Sequence, residues 1–147
     1  MFETDTAFYF LFNAELYLYQ GRMDAARVYA DSARTFLQSL ARAGPDEWVY
    51  HSQLGVSEAI GGRKEVAIQE AKRAIEVLPL TQDAFGGQAP IAFLARIYTI
   101  VGDKDLAVSQ LMTLLGLPSL TVAGLRVDPS FASLKGYPAF ERLLAGR

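Results

Sequence analysis

The chain of 147 residues has no cysteine, one histidine and one tryptophan. Without cysteine there is no disulfide, no thiolate nucleophile and no cysteine-ligated zinc, and a reducing compartment is favoured. The one histidine, His51, has no carboxylates at ligand spacing, so neither a metal centre nor a histidine-based catalytic group finds its partners. Charge of one sign is not in excess: fourteen Lys and Arg stand against sixteen Asp and Glu, a net charge of −2. The electrostatic footprint for nucleic acid or an anionic membrane is missing. No apolar run approaches the ~18 residues that span a bilayer. The opening "MFETDTAFYF" lacks the basic region and small-residue cleavage site of a secretory leader. Together these absences predict a cytoplasmic chain with no metal, no cofactor, no nucleic acid and no membrane as partner.

What is present is apolar side chain, about half of the composition. That suffices for one folded domain, residues 1–147, burying roughly 70% of its unfolded surface. Glycine turns recur through it. "QGRMDAARVYADSA" begins at Gln20, "GGRKEVAIQEAKRA" at Gly61 and "VGDKDLAVSQLMTL" at Val101, each followed by an alanine: Ala26, Ala67 and Ala107, 41 and 40 residues apart. Repetition at this period points to stacked helical units. Ala67, Ala71 and Ala74 fall on one helix face, and a face of alanine lets another helix approach closely. Helices are predicted over 7–20, 23–42, 47–60, 64–78, 90–101 and 103–115. Thr4, Asp5 or Thr6 is expected to cap the first and Asp46 the third, and Pro90 to open the fifth.

The units read Phe10-x2-Asn13-Ala14-x2-Tyr17 with Ala26-x3-Ala30, His51-x2-Leu54-Gly55-x2-Glu58 with Ala67-x3-Ala71, and Ile91-x2-Leu94-Ala95-x2-Tyr98 with Ala107-x3-Leu111. This pattern resembles the tetratricopeptide repeat. Glu58 stands where that family carries an aromatic residue, and the period exceeds 34 residues because of the loops "ARAGPDE" and "TQDAFGGQAP". The resemblance implies an all-α fold, a right-handed α-solenoid of about three helix-turn-helix units (7–40, 48–81, 88–118). Residues 119–147 form a C-terminal cap of short helices, with Ser119, Asp128-Pro129 and Tyr137-Pro138 as starts. The segment from Gln82 onward, with "LRVDPSFASLKGYPAFERLL", is similar to the C-terminal tetratricopeptide region of bacterial multidomain signalling proteins. That implies a regulatory module, and an output domain upstream is expected from it.

Catalytic motifs are matched only superficially. "Gly55-Val56-Ser57-Glu58-Ala59" brushes a nucleophile elbow, which needs a strand-turn-helix. Gly61-Gly62-Arg63-Lys64 lacks the spacing of a phosphate loop. No catalytic residue is assigned, and the chain is expected not to be an enzyme. By position in the family pattern the concave groove is lined by Leu11, Glu15, Leu18, Ser52, Val56, Ala59, Ala92, Arg96 and Thr99, a mildly apolar surface with Glu15 and Arg96 as isolated charges. The first helix, "AFYFLFNAELYLYQ", is apolar all round. With Phe10, Ala14 and Tyr17 facing its own hairpin partner and Phe8 the groove, Tyr9, Phe12, Leu16 and Tyr19 are left over. They form a candidate self-association face, covered by a second copy, by an upstream domain, or by Met1–Asp5 or the C-terminal tail folding back. The expected function is a non-catalytic protein-interaction scaffold acting as a homodimer. The alternative is a sensor that holds a small molecule in the concave pocket.

Overall fold

The computed structural model describes residues 3–146, and all regular structure among them is helical. Six helices come first: α1 (Glu3–Tyr19), α2 (Met23–Ala43), α3 (Trp48–Ile60), α4 (Lys64–Val77), α5 (Gln88–Val101) and α6 (Lys104–Leu115). The pairs α1–α2, α3–α4 and α5–α6 pack as hairpins. Helix α2 also packs on α3 and α4 on α5, while α3 touches both α1 and α5.

The hairpin turn is the same three times. Gly21, Gly62 and Gly102 adopt φ of 75°, 84° and 87°, a left-handed conformation that glycine enters without strain. Each donates its N–H to the carbonyl three residues back: Leu18, Ala59 and Thr99. The next residue (Arg22, Arg63 or Asp103) donates to Tyr17, Glu58 or Tyr98, at 2.9 Å every time. Its own carbonyl accepts the N–H of Ala26, Ala67 or Ala107, at 3.0 Å every time. The repeat read in the sequence is therefore a repeat in hydrogen bonding.

Between the paired helices lie the alanines. Ala26, Ala30 and Ala33 on α2, and Ala67, Ala71 and Ala74 on α4, are fully buried. At Gly55 both α4 and α5 press against α3: a Cβ added there would lie 2.8 Å from Cδ1 of Ile97 and 3.0 Å from the carbonyl oxygen of Ala67. Glu58, at the position held by Tyr17 and Tyr98 in the other units, is fully buried. Arg34 donates to one of its oxygens and Arg63 to the other, the latter at 2.5 Å, and Arg63 also reaches Asp31 at 2.9 Å. A buried carboxylate is tolerated because both oxygens are paired with charge-assisted donors.

After α6 come α7 (Val122–Val127), a 3-10 helix (Pro129–Leu134) and α8 (Pro138–Leu144). The 3-10 helix packs on α5 and α8 on α6. Phe131, Leu134 and Phe140 belong to the same core cluster as Ala7. Within the expected cap, 119–147, only Arg147 lies outside the described residues, as do Met1 and Phe2 at the other end.

Several caps differ from expectation. Helix α1 already includes Thr4, Asp5 and Thr6, because Glu3 and Asp5 supply the negative charge that suits a first turn. Helix α3 starts after Glu47, not Asp46, with no side-chain cap. Thr121, not Ser119, caps α7, accepting the N–H of Gly124 at 3.0 Å. Asp128 does cap the 3-10 helix through the N–H of Ser130.

Candidate functional site

Helix α1 buries one side only. Ala7, Leu11 and Ala14 point inward, and Phe10 stacks on Phe36 while Tyr17 stacks on Tyr29, both rings of α2. The opposite side carries Phe8, Tyr9 and Phe12, exposed to 58%, 53% and 55%, with Leu16 and Tyr19 beyond them. The four residues left over by the sequence pattern, Tyr9, Phe12, Leu16 and Tyr19, are all exposed. Phe8, expected in the groove, is exposed beside them. The tail reaches this stripe at its C-terminal end, where the hydroxyls of Tyr19 and Ser130 share a hydrogen bond of 3.1 Å. Burial at that end raises the Tyr19 pKa above the ordinary phenol value. A covering role for Met1 and Phe2 lies outside the described residues.

The nine expected groove residues are placed differently from an open groove. Leu11, Ser52, Val56, Ala59 and Thr99 are buried, and Glu15, Leu18, Ala92 and Arg96 are partly so. Helix α3 has neighbours on four sides, α1, α2, α4 and α5, so its inward positions have no free face. Glu15 and Arg96 are not isolated charges. They form an ion pair joining α1 to α5, and the Arg96 guanidinium also lies 5.0 Å from the ring centre of Phe93. Burial lowers the Arg96 pKa from its usual value, with the Asp128 carboxylate acting the other way. Arg96 Nε and Ser52 Oγ are buried with no hydrogen-bond partner among the described residues. Over this pair sits a recess of about 150 Å³ walled by Phe8, Leu11, Phe12, Gln53 and Phe93.

A second, more apolar recess of about 420 Å³ lies at the start of α3 and α5. Trp48, Leu78, Phe85, Ala92, Leu114 and Leu120 wall it. The two recesses meet at one pair of rings, because Trp48 lines one and Phe93 the other, with centroids 6.2 Å apart and edge-to-face. Phe93, Trp48 and Phe85 were not assigned from sequence. Leu11, Glu15 and Arg96 of the expected groove line the first recess and Ala92 the second. Gln53 and Phe93 stand one residue beyond the expected Ser52 and Ala92, and each step along a helix turns the side chain by about 100°.

His51 is held in the structure by both ring nitrogens. Nε2 donates to the Pro45 carbonyl at 2.8 Å, and Nδ1 lies 2.7 Å from the Glu70 carboxylate. Both ring nitrogens are thus engaged within the chain, tying the start of α3 to α4 and to the loop before it. Among the described residues no group of His, Asp and Glu is placed to hold a metal ion, and no helix is long and apolar enough to cross a membrane.

No protein-family model, curated protein or solved structure matches this chain.

Proposed function

We propose that this chain is a non-catalytic protein-interaction module, a right-handed α-solenoid of three tetratricopeptide-like units closed by a C-terminal cap. Support for the repeat reading is the identical turn at Gly21, Gly62 and Gly102, with the same three hydrogen bonds each time. A regulatory role in a bacterial signalling protein rests on the sequence resemblance alone, and a cytoplasmic location on the missing cysteines and leader features of the sequence.

The observation that carries the interaction reading is the aromatic stripe of α1. Phe8, Tyr9, Phe12, Leu16 and Tyr19, about half exposed, offer roughly 500 Å² of apolar surface. That is near the upper end for a monomer's largest patch. Two copies facing each other through it would bury about 1,000 Å², the lower bound for a specific interface. In the isolated chain the reading is an isologous homodimer through α1, with Phe12 near its centre. Light scattering at increasing concentration tests it. The expected result is a dimer for the wild type and a folded monomer for Phe12→Glu with Tyr9→Glu. A wild type that stays monomeric at high concentration would sink this dimer.

The small-molecule reading has a specific place in the recess over Glu15 and Arg96. Its volume matches one aromatic ring, since an apolar cavity of about 150 Å³ holds a benzene. That size suits one anchoring side chain of a partner as well as a ligand, and its walls Phe8 and Phe12 belong to the exposed stripe.

A further inference from the structure

We infer that the recess at the start of α3 and α5 is a second docking site, separate from the α1 stripe, for a segment that is both cationic and apolar. The site would bind a partner protein through bulky aliphatic or aromatic side chains flanked by Lys or Arg.

The apolar half of the inference rests on the walls. Trp48, Leu78, Phe85, Leu114 and Leu120 surround about 420 Å³ of open space, room for a pair of bulky side chains. The polar group beneath them makes no demand on a ligand. Gln88 donates its amide to the Ala84 carbonyl at 2.8 Å and accepts the N–H of Ser119 at 3.2 Å. A side chain entering the recess therefore leaves none of the Gln88 hydrogen bonds broken.

Phe85 at the rim is 77% exposed, yet it is not carried on a loose loop. The Asp83 carboxylate accepts the N–H of Phe85 at 3.0 Å and of Gly86 at 2.8 Å. Gly87 is packed so closely that an added Cβ would lie 2.7 Å from the Asp83 carbonyl oxygen and 2.9 Å from the backbone of Pro79 and Leu80. A ring fixed in water costs hydrophobic free energy with no compensation inside the chain. A rigid, preordered anchor lowers the entropy cost of binding.

The cationic half rests on charge. The segments that build the recess, 44–60, 78–95 and 114–120, contain no Lys and no Arg. They contain Asp46 and Glu47 immediately before Trp48, and Asp83 two residues before Phe85. All three are exposed, and none has an ion-pair partner among the described residues. The remaining acid, Glu58, is buried and neutralised by its two arginines. No Lys or Arg lines the recess, and Arg96 beside Phe93 is already paired with Glu15. An anionic partner would meet repulsion there, whereas Lys or Arg beside the apolar anchors completes three carboxylates.

The chain carries its own reporter, because Trp48 is its only tryptophan and lines the site. The probes are three synthetic peptides of about 15 residues: one of leucine and lysine, one with glutamate in place of each lysine, and one of lysine alone. The leucine–lysine peptide should shift Trp48 emission saturably. Its affinity should fall as salt is raised from roughly 50 to 500 mM, which shortens the screening length about threefold. Phe85→Ser, and Asp46→Lys with Glu47→Lys, should each weaken it by about tenfold. All three positions are exposed, so these variants keep the fold. Phe12→Glu on the α1 stripe should leave binding unchanged, so this site and the dimer fail separately. A glutamate peptide or a lysine-only peptide that binds equally well would overturn the inference. So would indifference to both sets of variants, or no response of Trp48 to any peptide.

Discussion

Substituting Gly55 by alanine sets two effects against each other at one atom. In a helix interior alanine is favoured over glycine by about 1 kcal/mol, because glycine loses more backbone freedom on folding. At an open position the change would stabilise. Here the new Cβ would lie 2.8 Å from Ile97 Cδ1, 3.0 Å from the Ala67 carbonyl oxygen and 3.5 Å from the Ala71 nitrogen. Ile97 is fully buried, so its methyl cannot swing out to solvent. The Ala67 oxygen belongs to the backbone of α4 and moves only with that helix. Unstrained carbon–oxygen contacts are about 3.3–3.6 Å, so α3 and α4 must separate by several tenths of an ångström. Overpacking of this kind costs about 1–3 kcal/mol, more than the propensity gain. The expected net loss is about 1 kcal/mol, or roughly 2–4 °C in the melting midpoint for a chain of this size. Circular dichroism during thermal and urea unfolding measures it. Ile97→Val removes the obstructing methyl, so Gly55→Ala should cost less on that background, with a coupling of about 0.5–1 kcal/mol. A Gly55→Ala protein that melts above the wild type would refute the close approach.

Three further outcomes are expected. Glu58→Gln leaves Arg34 and Arg63 converging on a neutral amide. Since their side chains are 38% and 31% exposed and can turn to water, the loss should be about 1–3 kcal/mol, below the usual range for breaking a buried pair. An unchanged urea midpoint would dismiss the network as a stabilising element. Phe140→Ala, in a fully buried site of α8, should cost about 3–5 kcal/mol and unfold the chain in one transition; a separate early transition of the tail would mean it is not part of the common core. Tyr19 has a folded-state pKa raised by burial from 10.0. Its contribution is therefore complete below pH 10 and is lost as pH rises through the folded value. Stability should fall above about pH 10 and fall less steeply in Tyr19→Phe, and identical alkaline limbs in the two proteins would exclude that contribution.

How much of this was legible in the sequence follows from the range of each interaction. The six long helices and their turns were, because a left-handed glycine, the alanine five residues after it and an apolar period are local properties. The exposed stripe Tyr9, Phe12, Leu16 and Tyr19 was legible by subtraction, once the inward faces of α1 were assigned. Caps were read less well, since Glu3 and Asp5 carried α1 through three residues that also suit a cap.

The surfaces between units were decided by tertiary structure. Ser52, Val56 and Ala59 look like groove residues in a repeat pattern, and they are buried because α3 is enclosed by four helices. Glu15 meets Arg96 across 81 residues, and Glu58 finds Arg34 on another hairpin. Trp48 meets Phe93 where α3 packs on α5, and it shares a recess with Phe85 because the 79–87 turn folds against the start of α3. Helix periodicity constrains which side of a helix is apolar. The angle and register at which two such sides meet depend on side chains far apart in the chain, and those determined which rings became core and which became surface.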